Sequence, residues 1–190
     1  MTNTPTDEQL MQAARDDDRA AFAELVDRLS DQVYGLSFRL LGNEQDARDA
    51  AQDAFVNMWQ SRRRWSPKGA VSTWAYRVTT NICLNRLRSR KRWRFLSVGE
   101  SSDESRGSID IPIPEEETSD VRAEQMEVRR GLEAAISKLP PRERAAILLR
   151  HYQGLSGKEV AAILDTTIYG VDSLLFRARK RLRAMLGGKK

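Results

Sequence analysis

The chain contains a single cysteine, Cys83, and a single histidine, His151, among 190 residues. One cysteine excludes an intrachain disulfide, and the pair is too few to build a cysteine–histidine zinc site. No run of eighteen apolar residues occurs, which argues against a transmembrane helix and against membrane insertion. The opening stretch "MTNTPTDEQLMQAARDDD" lacks the basic and apolar regions of a secretory signal, so the expected location is the cytoplasm. Acid is missing where base is dense. Residues 62–94 hold eleven Lys or Arg and no Asp or Glu, and residues 177–190 hold seven more with none.

What is present is ample apolar content, 40%, and a charged fraction of 31%, enough for packed cores with a heavily charged surface. The net charge of +5 understates the segregation, because residues 97–120 carry eight acids against one arginine. Solvated helix faces mix signs, so two long basic blocks point to a polyanionic partner. The segment "SVGESSDESRGSIDIPIPEEETSD" has no helical apolar period and reads as a flexible, self-repelling linker over 97–120. It divides the chain into domains at 1–96 and 121–190.

Both domains read as all-α. Thr6 and Gln9 have capping-box spacing before a first helix. A second helix starts near Asp18, carries Phe22, Leu25, Val26, Leu29, Val33, Leu36 and Leu40 at spacings of three and four, and stops at Gly42. Asn43 caps a third, in which Ala47, Ala50, Ala51, Ala54 and Met58 share one face and Asp46, Asp49 and Asp53 lie nearly opposite. A fourth runs from about Ser72 to Arg94 with Trp74, Val78 and Ile82 inward. In the second domain Pro140 and Pro141 start a helix that Gly154 ends. Ser156 and Glu159 form a second capping box, Asp165 and Thr166 turn the chain, and Thr167 caps a long basic helix. A short helix, a tight turn and an Arg-rich helix predict a helix-turn-helix, with Ala161, Ile163, Leu164, Val171 and Leu175 as its interior.

The two basic blocks differ in chemistry. The last helix carries Arg177, Arg179, Lys180, Arg181 and Arg183, suited to phosphate, while its start, Ile168 to Phe176, would reach base edges in a major groove. The first block interleaves bases with all four tryptophans, Trp59, Trp65, Trp74 and Trp93, a mixture suited to stacking on exposed bases. Core packing is the expectation for Trp59 and for Trp74. Arg77, Asn81, Leu84 and Arg88 form a separate helical stripe.

The segments "DARDAAQDAFVNMW", "STWAYRVTTNICLNRLRSRKR" and "LPPRERAAILLRHYQGLSGKEVAAIL" together resemble a bacterial sigma factor of the extracytoplasmic-function (ECF) group, which keeps regions 2 and 4 only. The resemblance implies region 2 at 1–96 and region 4 at 121–190, no catalytic residues, no metal and no cofactor. It implies docking on core RNA polymerase, at the β′ clamp helices and the β flap, with Asp46, Asp49, Gln52, Asp53 and Phe55 facing the clamp. It implies promoter DNA at the minus-ten element for Trp65, Lys68, Ser72, Arg77, Asn81, Asn85 and Arg88, with a flipped base held by the loop 66–72. For the helix-turn-helix and the minus-thirty-five element it implies Lys158, Thr167, Tyr169, Asp172, Ser173, Phe176, Arg177 and Lys180. An anti-sigma factor is the implied inhibitory partner, set against domains that sample many relative placements.

One departure stands out. Where the family's recognition helix often has a basic residue followed by Ser and Arg, this chain has Asp172, Ser173 and Leu174. A carboxylate there repels phosphate and accepts only from donors such as cytosine N4. Two other classes remain open on the residues alone. A free-standing operator-binding regulator would use only the helix-turn-helix and leave the Asp46 stripe without a role. A metal-dependent nucleic-acid enzyme would need clustered carboxylates beside the basic face, for which that stripe is the sole candidate.

Overall fold

The computed structural model describes residues 4–67, 69–96 and 120–187. The expectation of a flexible linker falls on residues outside these, apart from Asp120. Among the described residues there are eight α-helices and no strand. They are α1 (Asp7–Arg15), α2 (Arg19–Leu41), α3 (Glu44–Ser61), α4 (Val71–Leu96), α5 (Asp120–Ser137), α6 (Pro141–Ile147), α7 (Gly157–Ile163) and α8 (Ile168–Leu186).

The helix ends follow the local chemistry. Thr6 and Gln9 close a reciprocal capping box on α1, and the Asp18 carboxylate accepts from the Ala20 and Ala21 amides at the start of α2. Each such cap is worth about 1 kcal/mol. Gly42 ends α2 at φ 71°, a left-handed conformation that costs glycine little. Asn43 caps α3 through the Asp46 amide. In the second bundle Pro141 is the first residue of α6, which runs on into a π-helical turn over Leu148–Tyr152. Ser156 and Glu159 box the start of α7, and Thr167 caps α8.

In the first bundle α2 packs against α1, α3 and α4. The alanine face of α3 is buried as its spacing predicts: Ala47, Ala50, Ala51, Ala54 and Met58 all lie in the interior. These small side chains let α3 approach α2 and α4 closely. The inward face of α4 is rotated from its expected position. Val71, Ala75, Tyr76, Thr79, Thr80, Cys83 and Leu84 are buried, whereas Trp74, Val78 and Ile82 are only half-buried at its edge. Burial pushes the Cys83 thiol up to about 11, so the lone cysteine is an unreactive core residue.

In the second bundle α8 packs on α5, α6 and α7. Ala161, Ile163, Leu164, Val171 and Leu175 are its buried interior. Helix α5 was not anticipated, although Ser119 and Asp120 stand at its start and Pro140 follows its end.

The two bundles touch. α4 packs against α6 and α7, and α2 against α6. One apolar cluster runs from Leu36, Leu40, Tyr76 and Leu84 of the first bundle into Leu139, Ala145 and Leu149 of the second. Arg144 donates to the Leu40 carbonyl at 2.6 Å, the Thr73 hydroxyl bonds the Glu159 carboxylate at 3.2 Å, and the Arg39 guanidinium lies 5.0 Å over the Tyr152 ring. Apolar surface on α2 and α4 is thus buried against the second bundle, although both bodies are net-basic.

Candidate nucleic-acid interface

Helix α8 stands proud of its bundle because only one side of it is apolar. Val171, Leu174, Leu175 and Ala178 are buried. Tyr169, Ser173, Phe176 and Lys180 recur at helical spacing on another side, and all are exposed; Tyr169 keeps 84% of its surface and Phe176 69%. Two exposed aromatic rings seven residues apart on a basic helix offer an apolar contact surface on that side. Asp172 and Arg177 are exposed, as is Lys158 on α7. The Thr167 hydroxyl accepts from the Gly170 amide at 3.1 Å, so its first duty is the cap. A Cβ on Gly170 would lie 2.2 Å from the Thr166 hydroxyl; glycine lets the turn close tightly against the first turn of α8.

On α4 Arg77, Asn81, Asn85 and Arg88 are among the exposed polar residues. Arg88 donates to the Asn85 side-chain carbonyl at 3.2 Å. Leu84, placed on the same stripe from sequence, is instead buried in the cluster that continues into the second bundle. Ser72 is half-buried in the first turn of α4, and Lys68 lies outside the described residues.

Trp65 corrects the stacking expectation. A 3₁₀ turn over Arg62–Arg64 swings the chain inward, so Trp65 is only 5% exposed, packed in the core with Met11, Leu25 and Met58. It supports the loop from beneath and offers no face to a base. Trp59 meets Phe22 in a tilted ring contact with centroids 5.1 Å apart, and the Arg62 guanidinium lies 4.0 Å from the Trp59 ring centroid. Trp93, near the end of α4, is the exposed tryptophan.

The acidic stripe of α3 is also partly spent inside the chain. Asp53 pairs with Arg86 and Asp46 with Arg90, both from α4. Arg86 donates as well to the Asp46 carbonyl at 3.1 Å. Asp49 accepts from the Gln45 amide at 2.9 Å, Gln52 is exposed, and Phe55 is half-buried against the first core. Sequence reading missed this because the partners sit 33 or more positions away. Arg62 and Arg63 are likewise held by Asp17, whose carboxyl they keep below the usual range chiefly through hydrogen bonds. Glu143 was missed too: it is buried on α6 and forms ion pairs with Arg177 and Arg181. Among the described residues no three His, Cys, Asp or Glu side chains gather as a metal site, and no helix is long and apolar enough to cross a membrane.

Comparison with known proteins agrees with this layout. Residues 25–93 match the family model for Sigma-70 region 2, and residues 129–182 that for Sigma-70, region 4. The chain is 37% identical over 163 residues to the ECF RNA polymerase sigma factor SigE of Mycolicibacterium smegmatis, covering 86% of this chain and 60% of that protein's length. It is 30% identical over 169 residues to the ECF RNA polymerase sigma factor SigW of Bacillus subtilis, covering 89% and 90%. In fold it is similar to CnrH, solved in complex with the cytosolic domain of CnrY (TM-score 0.65, 24% identity, 97% of this chain and 99% of that one). It is also similar to the sigma factor RpoE of Bartonella quintana, solved with the anti-sigma factor NepR (TM-score 0.69, 21% identity, 89% and 98%). With two region models in order and a relative of this identity matched over nearly its whole length, the chain belongs to the ECF sigma factors of bacterial RNA polymerase.

Proposed function

We propose that this sigma factor binds core RNA polymerase and directs it to promoters, contributing recognition and melting but no chemistry of its own. The observation that carries the reading is the pair of exposed nucleic-acid faces on separate bundles, α4 with Arg77, Asn81, Asn85 and Arg88, and α8 with Tyr169, Ser173, Phe176 and Lys180. The α4 face suits unpaired bases and their backbone at a minus-ten element. The α8 face suits a duplex major groove at a minus-thirty-five element. Asp49, Gln52 and Phe55 of α3 are the residues that supply the clamp-helix contact, since Asp46 and Asp53 are already engaged by α4. The second bundle would meet the β flap.

The two promoter elements are about 25 base pairs apart by their names, or about 85 Å at 3.4 Å per step. Bundles of this size have a radius of gyration of about 11–12 Å, so touching bundles have centres only about 25–30 Å apart. The packed arrangement is therefore the form off the promoter, and polymerase must part the bundles. An anti-sigma factor, the partner recorded for RpoE of Bartonella quintana, would stabilise a closed form of this chain in the cytoplasm.

Co-purification with core polymerase followed by run-off transcription tests the reading. Promoter-dependent transcripts that need both the chain and core polymerase are expected. Duplex binding by the chain alone, with no polymerase association, would instead favour a free-standing regulator.

A further inference from the structure

We propose that Glu143 is a positioning residue for DNA recognition, its buried carboxylate aiming the Arg177 and Arg181 guanidinium groups at backbone phosphates beside the groove-facing stripe of α8. The inference rests on the reading of α8 as the duplex-contacting helix.

Helix α8 carries two distinct lines of side chains. Tyr169, Ser173, Phe176 and Lys180 follow one another at spacings of four, three and four and make the outermost stripe. Arg177 and Arg181, four apart, make a second line on the flank nearer the buried Leu174. Glu143 meets this flank from α6. Its side chain is 7% exposed, and its two oxygens lie 3.4 Å from Arg177 Nε and 3.1 Å from Arg181 Nε. Both arginines keep more than half of their side-chain surface, 54% and 56%. The carboxylate is thus buried, while the arginine side chains that meet it remain about half exposed.

Three features distinguish this from a brace for stability alone. First, one carboxylate serves two arginines, so a net positive charge remains on the flank. Second, the Glu143 Oε2 atom is buried without an aligned hydrogen bond, although a buried structural pair gains most when every oxygen is satisfied. Third, the closest approach is through Nε in both cases, and a guanidinium has five donors. A carboxylate near the root of each fork draws both guanidinium groups to this flank by charge and leaves their donors for a second anion. Phosphate contacts set the register of a recognition helix without reading sequence themselves. Register then decides which base edges Tyr169, Ser173, Phe176 and Lys180 meet. Loosening the two forks should cost discrimination before it costs attraction.

The experiment uses holoenzyme assembled from core RNA polymerase and the full chain. The probe is a duplex selected by that holoenzyme from a pool randomised across the upstream element, paired with the same duplex carrying that element scrambled. Glu143→Gln keeps size and an acceptor oxygen but removes the charge. The selected-to-scrambled affinity ratio should fall about tenfold, within the range of a single mismatched base pair, while scrambled affinity holds or rises. A ratio within about twofold of the parent, or both affinities falling in step with thermal stability, overturns the proposal. If Glu143→Gln does not fold, Arg177→Lys with Arg181→Lys keeps both charges but removes the Nε handle. That pair should lower the ratio and leave the salt slope unchanged; an unchanged ratio again overturns it. Arg177→Ala with Arg181→Ala separates this inference from the reading beneath it. A slope of log affinity against log salt shallower by about two is expected if the arginines meet phosphate. An unaltered slope removes the DNA role of this flank altogether, whereas a shallower slope with an unaltered ratio in Glu143→Gln removes only the positioning role.

Discussion

Both bundles hold a basic helix with carboxylates from a neighbour, but the carboxylates differ in burial. In the first, Asp53 and Asp46 of α3 engage Arg86 and Arg90 of α4, with the carboxylate side chains 54% and 25% exposed. In the second, Glu143 of α6 engages Arg177 and Arg181 of α8 from a site closed to water. Exposed pairs contribute little, since solvent screens them and long side chains lose freedom in forming them. A buried carboxylate is stranded if its partners leave. The difference matches what each helix is proposed to do. Helix α4 must adapt to strands that separate, and its braces can exchange for other anions at small cost. Helix α8 must hold one register on a closed duplex, and its brace is fixed.

The largest effect should come from the part of the α3 stripe that no internal base holds. Asp49→Arg with Gln52→Arg is expected to weaken core polymerase binding at least about a hundredfold, roughly 3 kcal/mol, with the helical circular dichroism intact. Charge reversal at Asp53 is a poorer test, because it sets an arginine against Arg86. Pull-down titration with core enzyme decides; affinity within a factor of about three of the parent would sink the docking role.

Next is Arg144, which sits beside Glu143 on α6 and faces the other way. It donates to the Ser137 and Leu139 carbonyls at the end of α5 and to Leu40 of the first bundle, so one side chain caps a helix and joins the bundles. Burial lowers its pKa, yet three carbonyls hold it. Arg144→Ala should cost about 2–3 kcal/mol in urea unfolding and broaden the distance distribution from small-angle scattering. The parent should scatter as a compact particle at low and high salt alike, because the joint is largely apolar. A loss under about 1 kcal/mol would remove Arg144 as the joint.

The comparison itself is tested by matched truncations. Glu143→Ala should cost about 2 kcal/mol and Asp53→Ala less than about 1 kcal/mol. Equal costs would mean that burial does not separate the two braces.

Much of this was legible because it is local. The caps at Thr6, Asp18, Asn43, Ser156 and Thr167 and the stops at Gly42 and Gly154 depend on residues within one turn, and the alanine face of α3 on a spacing of three and four repeated along one helix. The helix-turn-helix interior followed from the same spacing. Trp65 was misread because a 3₁₀ turn, not composition, decides which way its ring points. Leu84 was misread because the apolar cluster around it continues into the second bundle, and the rotated face of α4 because Val71 and Ala75 enter the first core ahead of the larger Trp74 and Val78. Asp46, Asp53 and Glu143 find partners across tertiary contacts that no window of sequence contains, so their acids looked free. Helix α5 was missed because its cap candidates, Ser119 and Asp120, close an acidic segment that reads as linker.

The smallest effect should be a pH dependence at the joint. Glu159 has its carboxyl held below the usual range, first by the Ser156 hydroxyl, then by the Ser156 amide, with the Thr73 hydroxyl of α4 adding to them against some opposing burial. The folded state therefore binds the Glu159 proton less readily than the unfolded chain. Stability from these bonds is complete above the unfolded value near 4.5 and is lost as pH falls through the lower folded value. The group is solvent-accessible, so screening keeps the contribution below about 1 kcal/mol. Glu159→Gln should thus be less stable than the parent by a few tenths of a kcal/mol at pH 7, with the gap closing below pH 4. Thr73→Val removes only the bond across the joint, and should reproduce a fraction of that gap while leaving the capping box intact. Urea midpoints of the three proteins at neutral and acid pH measure it. A gap that persists below pH 4 would mean that Glu159 stabilises the fold by packing rather than by charge, and would remove the α4 hydroxyl from the account of how the bundles are joined.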